Sequence, residues 1–329
     1  MFAVQEGIIG KTSDGSTVHQ GSGVHGSLTS SPINVWACSE GTFLLTVIEI
    51  SNTMWATPIP FDDPSMADKF SKVFSYVSCF EKLKTCISDL GRTPCEAYQY
   101  LYGTPENMKG YLDGQPRPPE RARKVFERDF FRYAPSLKED DDKKPTFWSG
   151  LMGIGLEEGS LPIFLGRIAN GAGDGVGYSE SGMFLAHEVR GKGFGKLAFA
   201  ALLVHALVGQ LKNFPVAGQP LKHFSATISS ENPKFQNISI LIERINAAAG
   251  IALIKEETIQ RDYGFRKFVS VDANDIEFVA RVLLPDLDTQ LKVNGIPFRD
   301  FKGGQATTEP LDEPPTCASV GFRSSCRSG

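Results

Sequence analysis

The chain has 329 residues, 41% of them hydrophobic and 22% charged, a composition typical of a folded globular protein and not of a disordered one. Its net charge of −4 excludes the strongly basic surface that recruits nucleic acid. No stretch reaches the roughly 18–20 uninterrupted apolar residues of a membrane span, and the N-terminal residues lack the features of a signal peptide. We therefore expect a cytoplasmic protein without nucleic-acid or membrane partners.

The six cysteines show no C-x-x-C pair and no histidine at zinc-finger spacing. Such thiols are typical of free or buried cysteines in a reducing compartment. We accordingly expect neither a disulfide framework nor a metal site.

The first half of the chain predicts an extension, a strand and then helices. Residues 1–40 are rich in Gly, Ser and Thr and predict a loosely ordered or β-hairpin extension. TFLLTVIEI, after Gly41, is typical of a buried strand and is expected to open the main sheet. Apolar residues at helical spacing predict helices over 66–90 and 119–133. Both helices lie in an enlarged helical segment at residues 62–145.

The periodicity changes after residue 146. Three strands joined as antiparallel hairpins are predicted at 147–158, 162–170 and 179–188. Residues 193–211 predict a well-buried helix, because apolar residues occupy most of its faces. The remaining predicted elements are a strand at 223–229, a helix at 235–250 closed by Gly250, and strands at 251–257 and 265–271.

The C-terminal end loses this periodicity. From residue 285 to residue 329 the composition is typical of a disordered tail. We therefore predict one folded domain at residues 41–284, between the extension at 1–40 and the tail at 285–329.

The segment that carries chemistry is MFLAHEVRGKGFGKLAFAALL, where a strand gives way to a helix. Its glycines let backbone N–H groups approach an anion without a Cβ in the way. The helix N-terminus adds unsatisfied donors and a favourable dipole. Arg190, Lys192 and Lys196 supply positive charge for further phosphate oxygens. The residues by themselves predict a phosphate-bearing ligand without saying which one.

Two familiar phosphate-binding motifs do not fit this spacing. A Walker A loop needs G-x-x-x-x-G-K-S/T, but Leu197 follows Lys196 and the first glycine is missing. A Rossmann fingerprint needs G-x-G-x-x-G in an early βαβ unit, whereas these glycines run G-x-G-x-G after predicted hairpins.

The segment resembles the GNAT superfamily of N-acetyltransferases, whose signature at this junction is Q/R-x-x-G-x-G/A. Arg190, Gly193 and Gly195 match its three positions. SESGMFLAHEVRGKGFG looks like the ribosomal-protein N-terminal acetyltransferase subgroup, in which E-x-G-x-x-L-x-x-x-x-R-G-x-G recurs. ATISSEN and ETIQRDYGF are similar to later strands of the family. Together these likenesses cover residues 146–272.

The resemblance implies an α/β (α+β) GNAT fold, with a mixed, mostly antiparallel central sheet flanked by helices and splayed at the acetyl-CoA site. It also implies an acetyl-CoA-dependent N-acetyltransferase that uses no metal. The acceptor would be a primary amine, either a protein or peptide N-terminus or a small amine. The resemblance implies cosubstrate contacts at Leu185, Ala186, His187, Val189, Arg190, Gly191, Lys192, Gly193, Phe194, Gly195, Lys196, Asn232 and Asn237.

The base that deprotonates the ammonium is expected to be Glu180, directly or through a water, because only the neutral amine is nucleophilic. Glu180 matches the glutamate that opens this strand in the subgroup; the alternative is a solvated carboxylate after a turn. His187 is either a surface or bulge residue or a base or water relay. A backbone N–H near Leu185 would polarise the thioester carbonyl.

The side of the leaving thiolate departs from the family pattern. Ile242 stands where many members carry a tyrosine. The ribosomal-protein subgroup instead has N-x-x-S-type residues that orient the thiol, and the resemblance therefore makes Ser239 the predicted catalytic residue, with Asn232 and Asn237 as further candidates. The alternative for Ser239 and Asn237 is an ordinary polar residue at a helix start.

Two rival functions follow from the same residues. A non-catalytic GNAT-like module that senses acyl-CoA or binds a partner would explain the missing tyrosine. A phosphate-binding protein unrelated to acyl transfer would require every likeness to be coincidental. The sequence leaves the acceptor amine and the oligomeric state open.

Overall fold

A computed structural model gives the fold of residues 8–11, 17–19, 33–40, 43–50, 54–58, 93–133, 147–154, 163–172, 177–212, 221–229, 232, 235–261 and 264–297. The predicted helix at 66–90 and the part of the predicted tail from residue 298 onward lie outside these residues.

The described strands are β1 (Ile8–Lys11), β2 (Thr17–His19), β3 (Asn34–Glu40), β4 (Phe43–Glu49), β5 (Met54–Pro58), β6 (Phe147–Ile154), β7 (Ile163–Ala172), β8 (Tyr178–Leu185), β9 (His223–Ser229), β10 (Lys255–Arg261) and β11 (Gly264–Asp272). Strands β1 and β2 form a separate hairpin, as the sequence predicted for part of the extension. The other nine form one sheet in the order β10-β11-β9-β8-β7-β6-β5-β4-β3.

This sheet is antiparallel at every pair except one, the parallel pair of β8 and β9. The prediction of a mixed, mostly antiparallel sheet is confirmed. A parallel pair requires a crossover between its strands, and here a long helix supplies it.

The described helices are α1 (Pro94–Gly103), α2 (Pro105–Met108), α3 (Pro119–Tyr133), α4 (Phe194–Leu211), α5 (Phe235–Ala249), α6 (Ile276–Leu283) and α7 (Leu287–Val293). Helices α3, α4 and α5 were predicted from apolar periodicity. Gly250 adopts φ +69° and closes α5, as predicted. Helix α1 was not predicted, although Thr93 and Glu96 form a capping box at its start and Pro94 occupies its first turn.

Helices cover both faces of the sheet. On one face, Arg167 of β7 is 2.8 Å from Asp129 of α3, and Phe184 of β8 packs against the ring of Tyr102 of α1. The opposite face contacts α4, where Asn170 donates to the carbonyl oxygen of Leu202 at 3.1 Å. We call these the α1–α3 face and the α4 face.

Helix α4 forms the centre of the hydrophobic core. Its residues from Ala200 to Gly209 are all buried. It is long and apolar enough to cross a bilayer, but 61% of it is buried inside the fold, as in the core helix of a folded domain.

The sheet begins earlier than predicted. Strand β3 lies outside β4 and pairs with it along its whole length, so TFLLTVIEI does not open the sheet. Since β3 falls in the predicted extension, residues 34–40 belong to the main sheet.

The predicted tail from residue 285 is wrong for residues 285–297. Helix α7 lies in this segment and buries Leu287 and Leu291. Asn294 accepts from the backbone N–H of Val35 at 2.7 Å and donates to the carbonyl oxygen of Ile33 at 2.8 Å. These bonds satisfy backbone groups at the start of edge strand β3, which would otherwise be open to pairing.

Two strand boundaries also differ from the prediction. Strand β8 ends at Leu185, and residues 187–189 form a 3-10 turn in place of its expected last residues. Strand β10 begins at Lys255, so that residues 251–254 precede it as a connection.

Candidate functional site

The sheet opens between β8 and β9. The two strands pair in parallel only from Tyr178 with His223 to Ser181 with Ala226. Beyond Ser181, β8 continues to Leu185 and remains paired with β7 on its other side. Residues 182–185 therefore have a backbone edge that β9 does not pair. The splay between strands that the resemblance implied thus begins after Ser181.

A turn with two left-handed glycines follows the open half of β8 and starts α4. Gly191 has φ +82° and Gly193, the N-cap of α4, has φ +89°. Side chains at such angles are strained, because Cβ approaches the backbone. A Cβ at either glycine would meet no atom within 4 Å, so the space around both is open. We call residues 186–195 the glycine turn.

The glycine turn presents a run of unpaired backbone donors. In the part of the chain that the structure describes, no group accepts from the N–H of residues 191–195. The first N–H groups of a helix lack partners in the helix, and together with the helix dipole they form an anion site. The N–H groups of Val189 and Arg190 are instead bonded within the 3-10 turn, at 3.2 Å each. The resemblance implied cosubstrate contacts from Val189 to Gly195. Within this range, residues 191–195 are therefore the ones whose N–H groups can donate to an anion.

Arg190 is held by carbonyl oxygens. Its guanidinium donates to Leu185 at 3.0 Å, to Glu106 at 3.3 Å, to Lys109 at 3.5 Å and to Asn107. Burial lowers the pKa of the guanidinium, while the nearby Glu188 carboxylate acts in the opposite direction. This placement corrects the expectation that the Arg190 side chain reaches phosphate oxygens, because its donors already fix α2 against the end of β8.

Lys192 and Lys196 are the remaining cationic side chains in or next to the glycine turn. Both are exposed, and neither ammonium group forms an ion pair or hydrogen bond with the described part of the chain. Exposed ammonium groups beside a helix N-terminus strengthen the attraction for an anion. Contact of these two side chains with a phosphate stays a prediction.

Asn107 of α2 anchors the start of the glycine turn. Its side chain is fully buried. Its Oδ1 accepts from the backbone N–H of His187 at 2.7 Å and lies 3.1 Å from His187 Nδ1. Its Nδ2 donates to the carbonyl oxygen of Tyr100 at 3.1 Å. Sequence reasoning missed Asn107, since no local signal marks it.

These contacts orient the ring of His187. Because Asn107 Nδ2 is a donor to Tyr100, Asn107 Oδ1 is an acceptor and His187 Nδ1 carries the hydrogen. Glu188 Oε2, 3.3 Å from the same Nδ1, also requires a donor. The other carboxylate oxygen of Glu188 accepts from the hydroxyl of Tyr100. His187 Nε2 is consequently the acceptor nitrogen of this ring.

Glu180 lies on the α1–α3 face, in the half of β8 that is paired on both sides. It pairs with Gly171 of β7 and Ser225 of β9 and is partly exposed. Gly182 follows on the same face and is exposed. The carboxylate thus stands just before the opening between β8 and β9, as the choice of Glu180 as base requires.

The next residue on this face of β8 is Phe184, and its ring and that of Tyr111 form an aromatic wall. The ring of Phe184 is buried and stacks on Tyr111 with centroids 4.0 Å apart. Tyr111 belongs to the loop between α2 and α3, which Arg266 of β11 holds by donating to the carbonyl oxygen of Leu112. The enlarged helical segment therefore forms one side of the opening.

Behind this wall lies a buried ionic cluster. Arg167 bridges Asp129 at 2.8 Å and the hydroxyl of Tyr98 at 2.9 Å. Burial alone would lower the pKa of Arg167, but Asp129 and the surrounding tyrosines raise it well above its usual range. Burial also raises the pKa of Tyr102 well above its ordinary value. The cluster joins α1 and α3 to β7 and fixes the wall.

Strand β9 contributes a hydroxyl that sequence reasoning missed. Thr227 is two residues beyond Ser225 and on the same face as Glu180. Its Oγ1 is buried without a hydrogen-bond partner in the described part of the chain. An unsatisfied buried hydroxyl is costly, so Thr227 is a candidate to bond a ligand in the opening.

The remaining predicted residues lie after β9. Asn232 is partly buried in the turn that follows β9, and its N–H donates to Ser229 at 3.0 Å. Ser239 is partly buried in the second turn of α5, whereas Ile242, one turn later, is buried. Asn237 lies in α5, but its side chain falls outside the described residues.

The described residues include no group of three or more His, Cys, Asp or Glu side chains that could hold a metal ion.

No protein-family model and no curated protein matches the chain. Solved structures resemble part of it. A GNAT-family acetyltransferase from Bacillus anthracis is 13% identical, with 57% of this chain and 90% of that chain covered and a TM-score of 0.35. An acetyltransferase from Agrobacterium tumefaciens is 17% identical, with 53% and 82% covered and a TM-score of 0.35.

A ribosomal-protein alanine acetyltransferase from Vibrio fischeri is 12% identical, with 55% of this chain and 89% of that chain covered and a TM-score of 0.34. Identities and TM-scores this low assign neither a family nor a function to the chain.

Proposed function

We propose that the chain is an acetyl-CoA-dependent N-acetyltransferase that acts on a primary amine. One observation carries the proposal: an opening in a parallel strand pair leads directly into a helix N-terminus, where five consecutive N–H groups have no partner among the described residues. A thioester of a phosphopantetheine nucleotide has both a peptide-like arm and a diphosphate, and this site has a counterpart for each. The motif resemblance at residues 178–196 points to the same ligand.

The cosubstrate would be bound in two parts. The unpaired edge of residues 182–185 would pair with the amide groups of the pantetheine arm, with Leu185, Ala186 and His187 at its end. The N–H groups of residues 191–195, with Lys192 and Lys196, would hold the diphosphate. Val189 and Arg190 would support the turn from within, while Asn232 and Asn237 would lie across the opening.

The reaction needs a neutral amine, because an ammonium has no lone pair to attack with. We assign Glu180 as the base that takes this proton, directly or through a water. The amine nitrogen then forms a bond to the acetyl carbon, the C–S bond breaks, and the thiolate takes up a proton. Ser239 is the proposed donor on the thiolate side, and a backbone N–H near Leu185 would stabilise the developing oxyanion.

The acceptor is proposed as a peptide N-terminus or a small amine. The loop with Tyr111 and the helices behind it form one wall of the opening and would select among amines. A cytoplasmic location and a metal-free reaction remain part of the proposal.

A second candidate is a non-catalytic module that binds acyl-CoA without turnover. Ile242 favours it, because this buried side chain stands where many family members have a tyrosine and has no hydroxyl to protonate a thiolate. The two candidates share the binding site and differ only in chemistry.

Thiol release from acetyl-CoA, measured with a panel of amines and N-terminal peptides, tests the proposal. Glu180→Gln should lower kcat by about 100- to 1000-fold, because general-base catalysis is worth roughly that much, while the Kd for CoA stays within about threefold. Glu120→Gln, on the exposed start of α3, is the matched control and should retain full activity. Acceptor-independent release, or an active Glu180→Gln, would contradict the assigned mechanism. CoA binding without any release would favour the non-catalytic module.

A further inference from the structure

Asn107 connects two parts of the molecule that the chain separates by eighty residues. It belongs to α2, on the wall beside the opening, yet its side chain bonds His187 at the start of the glycine turn. Its own carbonyl oxygen accepts from Arg190, three residues further along the same turn. One buried residue thus holds the turn at both ends of its 3-10 segment.

The bonds of Asn107 constrain the backbone of the turn. The N–H of His187 is 2.7 Å from Asn107 Oδ1, and Arg190 is tied to the carbonyl oxygens of α2. Because both ends of the 3-10 segment are fixed, the backbone that carries the N–H groups of residues 191–195 continues from a rigid segment. A preorganised donor set binds an anion more tightly than one that must be ordered on binding.

The position of Asn107 is itself held. Its Nδ2 donates to the carbonyl oxygen of Tyr100, which also accepts from the hydroxyl of Thr104 at 2.8 Å. Removing the amide donor therefore leaves that carbonyl bonded. The oxygen Oδ1 is different, because no other group satisfies the N–H of His187 in the described part of the chain.

We propose that Asn107 is a positioning residue for the diphosphate of the cosubstrate, acting through His187 and Arg190 and not by contact. This inference rests on the proposed function and extends it: Asn107, which lies in the helical segment beside the opening, sets the affinity of the cosubstrate site. Loss of the Asn107 oxygen weakens binding of the phosphate-bearing part much more than binding of the pantetheine arm, which pairs mainly with residues 182–185 of β8 and has only its end at His187.

The test compares ligands with and without the diphosphate. Asn107→Leu should weaken CoA binding, measured by calorimetry, by about 10- to 100-fold, because the turn loses the bond at His187 and must then be ordered when the ligand binds. The same variant should change kcat/KM for S-acetylpantetheine, which has no diphosphate, by less than about threefold.

Two further variants separate positioning from folding. Asn107→Asp keeps an oxygen for the His187 N–H and should bind CoA more tightly than Asn107→Leu, despite its added negative charge. Asn246→Leu is the matched control: its side chain fixes the backbone of Ile254 at 2.8 Å, at the end of α5. It should lower stability to a similar degree and leave CoA affinity within about threefold.

The outcomes are distinct. A selective loss for CoA with partial rescue by Asn107→Asp supports the proposal. Equal CoA affinity in wild type and Asn107→Leu, or parallel losses for CoA and S-acetylpantetheine, overturns it and leaves the proposed function standing. A wild-type protein that does not bind CoA overturns both.

Discussion

The two halves of β8 share one strand but have different neighbours. Residues 179–181 are paired on both sides, with β7 and with β9, and Tyr178 is paired with β9. Residues 182–185 are paired with β7 alone. The first half is also fixed from below, because Ser181 donates to Asn170, which bonds His205 of α4 at 2.9 Å.

This difference separates support from ligand binding within a few residues. Backbone groups in the first half are satisfied by the protein, and the carboxylate of Glu180 is held on a rigid frame. Backbone groups on the open side of the second half have no strand partner among the described strands, and such a strand edge is suited to a ligand with amides of its own. The predictions below probe the two halves in turn.

The largest expected effect is at Gly166, where β7 closely approaches the second half of β8. Gly166 of β7 has φ +138°, and a Cβ there would be 2.1 Å from the carbonyl oxygen of Phe184. Gly166→Ala should lower the free energy of unfolding by about 3–5 kcal/mol, from backbone strain and overlap together. Urea denaturation measures it. A loss below about 1 kcal/mol would mean that the end of β8 is not held as described.

Acid should weaken the first half. Burial lowers the pKa of His205 to about 3, below the ordinary value near 6.5. The neutral ring is therefore favoured in the folded state, so stability is complete above pH 6.5 and is lost as the pH falls toward 3. Between pH 6.5 and pH 4.5 the loss should be about 2–3 kcal/mol. His205→Gln should flatten this pH dependence, measured by urea denaturation; an unchanged slope would assign the loss to other groups.

Gly182 offers a way to fill the open half without disturbing the fold. A Cβ at this position would meet no atom within 4 Å. Gly182→Val should change the free energy of unfolding by less than about 1 kcal/mol and lower kcat/KM for the amine by about tenfold. Gly182→Ala, with a smaller side chain, should fall between wild type and valine. Full activity in the valine variant would remove the opening from the acceptor path.

The smallest expected effects belong to the exposed lysines. Lys192→Gln and Lys196→Gln should each weaken CoA binding by about two- to fivefold, and the loss should shrink as salt is added. Lys292→Gln, exposed on α7, is the control and should bind as wild type. Salt-independent losses would argue against direct attraction of the diphosphate.

Local signals in the sequence predicted much of the fold around the candidate site. Apolar periodicity predicts the strands around residues 147–185 and helices α3, α4 and α5. The closely spaced glycines predict the turn between β8 and α4, because glycine adopts the left-handed backbone angles of such a turn without strain. The start of α1 was equally readable in Thr93 and Glu96, whose reciprocal bonds span three residues.

Long-range partners could not be predicted in this way. The guanidinium of Arg190 is an obvious phosphate ligand by its position, yet the fold brings to it carbonyl oxygens from residues 106–109. The roles proposed for Asn107 and Thr227 depend on strands and helices distant in the chain. Strand β3 is stabilised by Asn294 at the opposite end of the described residues, which no local pattern could indicate.

Calorimetric titration of CoA into wild type and Gly193→Glu tests the central claim most directly. Gly193 is the left-handed N-cap of α4, and a glutamate there places both a side chain and a negative charge at the proposed diphosphate site. The account predicts that wild type binds CoA and that the variant, still folded, binds at least about 100-fold more weakly. Equal binding by both proteins, or no binding by wild type, would contradict it.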